Sequence, residues 1–267
     1  MQEPKKHKRT ELIVAAVKAY IANHALRPGD RLPQETELMH VLTASKGTVR
    51  EALRMLEGQG LVESKTGPGG GVFIAQPSVE KSMELMGNYF FFNPPSIQHV
   101  YEVRKALEPI LVQGLQNRLS QQDYQRLEHI MAQYAKDPEN AEQAMLQRQK
   151  ELEFHLVLCS YSNNSFLSLT CQVAIRFLME LSVCQDIYAQ PNFTLRAYGY
   201  DYQRRLLNAL KQDYYVEAAH IMRDHMQAAQ EIMAKNEISL RNDFIQSTSM
   251  DGFSKELQAL SAHFSKA

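Results

Sequence analysis

Residues 65–71 read Lys-Thr-Gly-Pro-Gly-Gly-Gly, four glycines and a proline in seven positions. Such a run extends neither a helix nor a strand. Glycine loses the most backbone entropy on ordering, and proline has no N–H to donate. The run therefore forces a tight tip between its two flanks, Leu61-Val62-Glu63-Ser64 and Val72-Phe73-Ile74-Ala75, which read as the strands of a hairpin. A phosphate-binding loop would close with Gly-Lys-Ser/Thr and open a helix. Here the run closes with Gly-Val-Phe and enters a strand, so a nucleotide loop is excluded.

Three helices are expected ahead of the hairpin. Leu12, Ile13, Ala16, Val17, Tyr20 and Ile21 give 9–24 one apolar face. Arg27-Pro28-Gly29-Asp30 is a turn, and Arg31-Leu32-Pro33 a short extended piece, since Pro33 keeps Leu32 out of helical angles. A second helix follows over 34–42, with Leu38, Val41 and Leu42 inward. Ser45 is placed to cap a third over 46–59, whose stripe is Val49, Ala52, Leu53 and Leu56. Three helices and a glycine-tipped hairpin make a winged helix-turn-helix over residues 1–76.

After Pro77 the pattern changes. From 79 to 235 the periodicity is helical throughout, over 79–92, 96–118, 120–135, 141–161, 165–187, 193–211 and 213–235. Ser120 is placed to cap the third of these, with Asp123 at its third position. The fold class is mainly α: the winged domain with its small β-hairpin, then an all-α helical bundle over 79–235. A tail over 236–267 carries a short amphipathic helix marked by Phe253, Leu257, Leu260 and Phe264.

The 267 residues suit about two domains. No run approaches the ~18 apolar residues of a membrane span. The basic start lacks an apolar core with a small-residue cleavage site, so a signal peptide is not expected. Cys159, Cys171 and Cys184 are too few for a disulfide framework, and no CxxC is present, which fits a reducing, cytoplasmic setting. Residues 1–75 hold 11 Lys and Arg against 8 Asp and Glu, a net of +3, whereas the remainder holds 18 against 22, a net of −4. A basic end on an acidic body points to nucleic acid at the N-terminus.

Two groups of residues carry chemistry. At the start of the third helix, Lys46, Thr48 and Arg50 lie off the apolar stripe and face a DNA major groove in a winged domain. Arg50 can give two parallel hydrogen bonds to guanine, and Thr48 can meet a phosphate or a thymine methyl. Lys65 and the glycines Gly67 and Gly69 let the wing approach DNA closely. Lys5, Lys6, Lys8 and Arg9 read as plain surface charge, with a flexible arm for phosphates as the alternative. In the bundle, Glu151 and His155 share one helix face, His225 lies with Met222 and Ala229, Gln203 with Gly199 and Leu206, and Arg104 with Val100 and Leu111. Polar side chains aimed inward need one another or a ligand. Arg104 either clamps a carboxylate or pairs with Glu108 four residues on. Arg176, among Val173 and Met179, is a second candidate for the pocket.

Pro28-Gly29-Asp30-Arg31-Leu32-Pro33 with Glu35, Ser45-Lys46-Gly47-Thr48-Val49-Arg50-Glu51-Ala52-Leu53, and Leu56-Glu57 with Gly60-Leu61-Val62 resemble the DNA-binding domain of the GntR family of bacterial regulators. Val100 to Arg104, Leu107-Glu108-Pro109, Phe154-His155, Ser162-Asn163-Asn164 and the stretch from Ala218 to His225 resemble the FCD ligand-binding domain of the FadR subfamily. The resemblance covers roughly 10–235. It implies DNA contacts from Arg31, Ser45, Lys46, Thr48, Arg50, Lys65, Gly67 and Gly69, with Lys46 standing where the family usually has Arg. It also implies a divalent metal, zinc, nickel or manganese, held by Glu151, His155, His225 and Gln203. Gln203 stands where the family has a third histidine, and Glu151 where it has Asp. Amide oxygen is the weaker ligand, so a metal-free polar pocket is the alternative.

The expected function is a non-enzymatic, cytoplasmic, nucleoid-associated regulator. As a homodimer it would bind a palindromic double-stranded DNA operator, away from any membrane, and read a small organic acid through Arg104 and Arg176. The alternatives are a metal-free pocket for acyl-CoA or another larger ligand, and a ligand-independent architectural DNA-binding protein. A zinc hydrolase would need a general base and an oxyanion donor beside the metal, and none is identifiable.

Overall fold

The computed structural model describes residues 5–93, 95–180 and 193–234. They divide into two compact units, Met1–Ser82 and Met83–Ala267. The expected tail helix, Cys184 and the end of the 165–187 helix lie outside the described residues.

The first unit holds α1 (Lys5–Asn23), α2 (Glu35–Val41), α3 (Lys46–Gly58), β1 (Val62–Lys65) and β2 (Gly71–Ile74). α3 forms where the sequence places it. The Ser45 hydroxyl accepts the Thr48 N–H at 3.3 Å, satisfying one of the free donors of the first turn. Its stripe of Val49, Ala52, Leu53 and Leu56 is buried against Ile13 and Val17 of α1 and Leu38 of α2. The strands pair antiparallel from Val62↔Ile74 to Lys65↔Gly71. The turn before α2 joins the same small sheet: Leu32 N–H donates to the Val72 carbonyl at 2.9 Å and Ile74 N–H to the Asp30 carbonyl at 2.8 Å. The extended piece read from Pro33 is thus an edge along the wing.

Three details differ from expectation. α1 begins at Lys5, not residue 9, because lysine is a good helix former and the basic run continues the helix. The alternative arm is therefore the first turns of α1. Leu12 is 64% exposed and Val41 79%. The buried face of α1 is centred on Ile13, Val14 and Val17, which leaves Leu12 to one side. α2 is only seven residues long and buries Leu38 with part of Met39 and Leu42, so Val41 points away.

Among the described residues, the elements of the second unit are all helices. It contains most of α4 (Val79–Phe92), then α5 (Ile97–Gln113), α6 (Gln121–Ala132), α7 (Ala141–Ser160), α8 (Ser165–Glu180), α9 (Phe193–Lys211) and α10 (Tyr215–Ala234). α5 packs against α8 and α10, α9 against α10 and α6, and α7 against α8 and α6. Ser120 caps α6, accepting Asp123 N–H at 3.3 Å while Asp123 accepts the Ser120 N–H at 2.8 Å. α5 stops at Gln113, short of the expected 118, because Gly114 closes it and Asn117 takes a left-handed φ of 58°. Cys159 and Cys171 are free and buried. No described helix is long and apolar enough to cross a membrane. The unit boundary falls within α4, after Ser82, rather than at Pro77-Ser78. The first turn of α4 stays with the winged unit, where Lys81 and Pro77 lie against Gly60.

Leu56 is fully buried and Val41 is not. Leu56→Ala should therefore destabilise the winged unit by about 2–5 kcal/mol, through lost transfer energy and a residual cavity. Val41→Ala should stay within about 0.5 kcal/mol. Urea unfolding followed by circular dichroism separates the two, and equal losses would contradict the assigned faces.

Candidate functional site

Two sites result, one in each unit. In the first, α3 presents Lys46 and Arg50 to solvent. Arg50 Nε lies 2.9 Å and 3.2 Å from the two carboxylate oxygens of Glu35. Glu35 thus holds the guanidinium by one edge, and its two Nη groups remain as a fork for two acceptors. Thr48 differs from expectation. It is buried, and its hydroxyl lies 2.8 Å from that of Ser45. As the third residue of α3 it completes the cap, so both hydroxyls are engaged at the helix start.

The wing is fastened from below. Arg31 is exposed, stands 5.9 Å from the Phe73 ring centre and donates to the Gly70 carbonyl. Gly71 beside it has a φ of 150°, which side-chain-bearing residues rarely adopt, so the position favours glycine. Lys65 is exposed, 2.7 Å from Glu63 and 4.9 Å from the same Phe73 ring. Gly67 and Gly69 lie exposed at the tip. Arg9 donates to the Thr43 carbonyl at 2.8 Å, so it braces the connector between α2 and α3.

The second site is a buried polar centre in the helical unit. Arg104, Glu151, His155, Gln203 and His225 are all buried, as their places on apolar stripes predict. Their hub is Glu108, which the stripes do not single out. Arg104 Nε donates to one Glu108 oxygen at 2.5 Å, and His155 Nδ1 lies 2.5 Å from the other. The expected Arg104–Glu108 pair is therefore present. On the far side of the His155 ring, Nε2 is 2.9 Å from Gln203 Nε2 and 3.3 Å from His225 Nε2. The imidazoles of His155 and His225 stack at 5.2 Å, and Tyr202 stacks on His225 at 5.4 Å. Gln203 also donates to the Glu151 carbonyl at 3.3 Å and accepts from the Tyr134 hydroxyl.

Glu151 turns elsewhere. Its carboxylate lies 2.7 Å from Arg148 Nη1, and Arg148 donates to the Tyr101 hydroxyl at 2.9 Å. A Cβ on Gly199 would sit 2.8 Å from Glu151 Cδ, so a larger residue there on α9 would have to push this carboxylate aside. Arg176 is half-buried on α8, and the chain of contacts just described runs without it. Arg148 and Tyr134 complete the centre. Arg148 was legible as a partner three residues before Glu151. Tyr134 carried no signal, because it follows α6 and meets Gln203 only through the fold.

Burial alone would raise the Glu108 carboxyl, but Arg104 and His155 outweigh it and hold it at about 2. Burial pushes His225 well below the ordinary imidazole value, helped by the charge of Arg104. The centre thus sets two guanidiniums against two carboxylates beside a neutral His225. The family resemblance implies a divalent metal here. Among the described residues, no three carboxylate, imidazole or thiolate groups converge on one point. Glu151 is held by Arg148, and Gln203 turns its N–H, not its oxygen, toward His155. A dication would also add two charges to a buried balance already struck. As arranged, these residues do not fit it. Arg104 Nη2 is buried without a hydrogen-bond partner, the one such atom on the Arg104–Glu108 pair. Beside Arg148 and Glu151 lies a cavity of about 20 Å³, bounded also by Gln147, Pro138, Leu195 and Arg196.

Residues 9–74 match the family described as bacterial regulatory proteins, gntR family, and residues 99–228 match the FCD domain. The chain is 24% identical over 215 residues to the HTH-type transcriptional regulator LutR of Bacillus subtilis (strain 168), spanning 80% of this chain and 96% of that one. It is 24% identical over 221 residues to the Glc operon transcriptional activator of Escherichia coli (strain K12), spanning 81% and 85%. Its fold is similar to the solved structure of Streptococcus agalactiae GntR, with a TM-score of 0.56 at 21% identity over 84% of this chain and 99% of that one. These relatives are named as regulators, not enzymes. The chain is a transcriptional regulator of the GntR family, with that family's helix-turn-helix in its first unit and an FCD domain in its second.

Proposed function

We propose that this regulator, of the FadR subfamily, works in the cytoplasm on the nucleoid as a homodimer that binds a palindromic operator and answers to a small carboxylate. The observation that carries the effector reading is Arg104: a buried guanidinium with one Nη group unpartnered, inside the helical unit. Guanidinium forks suit carboxylates, and a buried donor without a partner favours any ligand that supplies an acceptor. The cavity of about 20 Å³ beside Arg148 and Glu151, which Arg104 does not line, has room for little more than one water. An effector must therefore part the helices to enter, which is what a ligand must do to shift a conformational balance. The same small space speaks against acyl-CoA as the ligand.

A two-fold dimer presents two recognition helices to a two-fold site. Exposed apolar side chains of the second unit support a partner surface: Leu85, Met86, Tyr89 and Phe92 on α4, Val103 and Ile110 on α5. On DNA, Arg50 reads a base, Lys46 and Lys65 neutralise phosphates, and Gly67 and Gly69 admit the wing. Ser45 and Thr48 act by holding the start of α3 in place.

Duplexes selected by the full chain from a randomised library provide the DNA probe. Arg50→Ala should weaken binding to a selected duplex by about 1–3 kcal/mol, roughly 5- to 150-fold, with little change on unrelated DNA. Unchanged affinity in fluorescence anisotropy would remove Arg50 from base reading. A panel of small mono- and dicarboxylates tests the effector. A ligand at about 100 times its Kd should raise stability by about 2.7 kcal/mol and shift operator affinity. If none does either, the ligand-independent architectural reading takes its place.

The centre also sets the acid limit of the protein. His225 is held neutral in the fold, and the unfolded chain protonates near 6.5, so stability should begin to fall below that pH. Glu108 is depressed, so its contribution is full above its ordinary 4.5 and is lost as pH falls toward about 2. That second loss is on the order of 3 kcal/mol. Urea midpoints measured from pH 7 to 3 should decline in this order, and a flat profile would contradict the assigned charge states.

A further inference from the structure

Gln203 is fully buried, and its amide orientation can be derived rather than assumed. The Glu151 backbone carbonyl, 3.3 Å away, can only accept, so the NH2 end must face it. The amide oxygen then takes the Tyr134 hydroxyl. The second N–H points at Nε2 of His155, at 2.9 Å. On the other side of that ring, Glu108 accepts from Arg104 Nε with one oxygen and faces His155 Nδ1 with the other, so the His155 proton sits on Nδ1. Nε2 therefore presents its lone pair, and Gln203 fills it. This lone pair is the one His155 could give to a metal, because Nδ1 is committed to Glu108.

The carboxylate side is closed in the same way. Glu151, one turn before His155 on α7, has its charge matched by Arg148. A metal would have to displace an amide N–H from His155 and a guanidinium from Glu151, and then leave Arg104 and Arg148 beside it in a dry interior. Buried charge of one sign without a counter-charge costs several kcal/mol per ion.

We propose that the Gln203 amide excludes a divalent cation from this FCD domain and ties the helices together in its stead. It links His155 and Glu151 on α7 to α9, and through Tyr134 to the segment after α6. The effector centre is metal-independent by construction. This inference stands whether or not the effector is a carboxylate, since it concerns only how the centre holds itself together.

The test is metal content. Full-length protein, purified without chelator and equilibrated with Zn(II), is desalted and analysed by plasma mass spectrometry. Wild type should hold under about 0.1 metal per chain, and its Tm should not move with chelator. Gln203→Glu keeps the shape, exchanges the N–H donor for an oxygen acceptor and adds one negative charge. It should gain about one Zn(II) per chain and lose Tm when chelator is added. About one metal per wild-type chain, absent from His155→Ala, would overturn the proposal. So would a folded Gln203→Glu that stays metal-free, because the amide would then not be the excluding group. Should Gln203→Glu not fold, 15N spectra of wild-type His155 decide the matter. Nδ1–H with an unprotonated, hydrogen-bonded Nε2 is expected, and any other state of the ring overturns the assignment.

Discussion

Glu108 is the group on which the helical unit turns. A carboxylate in a dry interior is among the most costly things a fold can contain, and it survives only when its lone pairs are taken by cations and donors. Here Arg104 comes from the same helix and His155 from α7. Beyond His155 the chain reaches Gln203 on α9, His225 on α10 and Tyr134 after α6. One acidic side chain thus dictates where four helices and one connector must stand. Any rearrangement that separates them leaves a buried charge exposed to nothing, so the unit has few intermediate states available. That makes its packing closer to bistable than to elastic.

The same closure shapes what the unit can recognise. Most polar atoms of the centre are paired within it, and the Arg104–Glu108 pair leaves one Nη group of Arg104 over. An incoming ligand therefore competes with internal partners over most of its contacts and gains outright only where a donor such as that Nη is left over. Specificity in such a site comes from the misfit of wrong ligands, which break internal pairs without replacing them. The DNA face is arranged differently. Arg50 and Lys65 each have a carboxylate neighbour at the surface, where such pairs are weak and easily exchanged. The two units thus hold their functional cations by opposite means, one sealed and one solvated.

Much of this was legible in the residues. Ser45 and Ser120 announced their helices because a cap is a local contact, three residues from its target. The burial of His155, His225, Gln203 and Arg104 followed from 3.6-residue periodicity, which needs no partner to be known. Val41 and Leu12 were misplaced because a short or broad apolar stripe does not say which of its edges meets the neighbour. Thr48 was misread because its hydroxyl had two uses, outward to DNA or back to the cap, and the local hydrogen bond won. Glu108 was visible only as the far end of an i, i+4 pair. Its role as hub depends on the fold bringing His155 to it from 47 residues away in sequence, which no local pattern shows. Whether Glu151 would meet a metal or Arg148 was likewise a matter of side-chain direction, which spacing does not fix.

Arg31 leaves one more consequence. The resemblance implies that it touches DNA, and in the folded chain it is already spent on the Gly70 carbonyl and the Phe73 ring. A tip made of four glycines would otherwise be the most disordered part of the domain. Because Arg31 and the Leu32–Val72 hydrogen bond hold it to the strand beside α2, the conformational entropy of the wing is surrendered during folding. Little of it is left to lose when a groove is met. Ordering a loop and its side chains on binding costs about 0.5–1.5 kcal/mol per immobilised side chain. A wing set in advance spares the complex that cost and confines the search for DNA to rigid-body orientation.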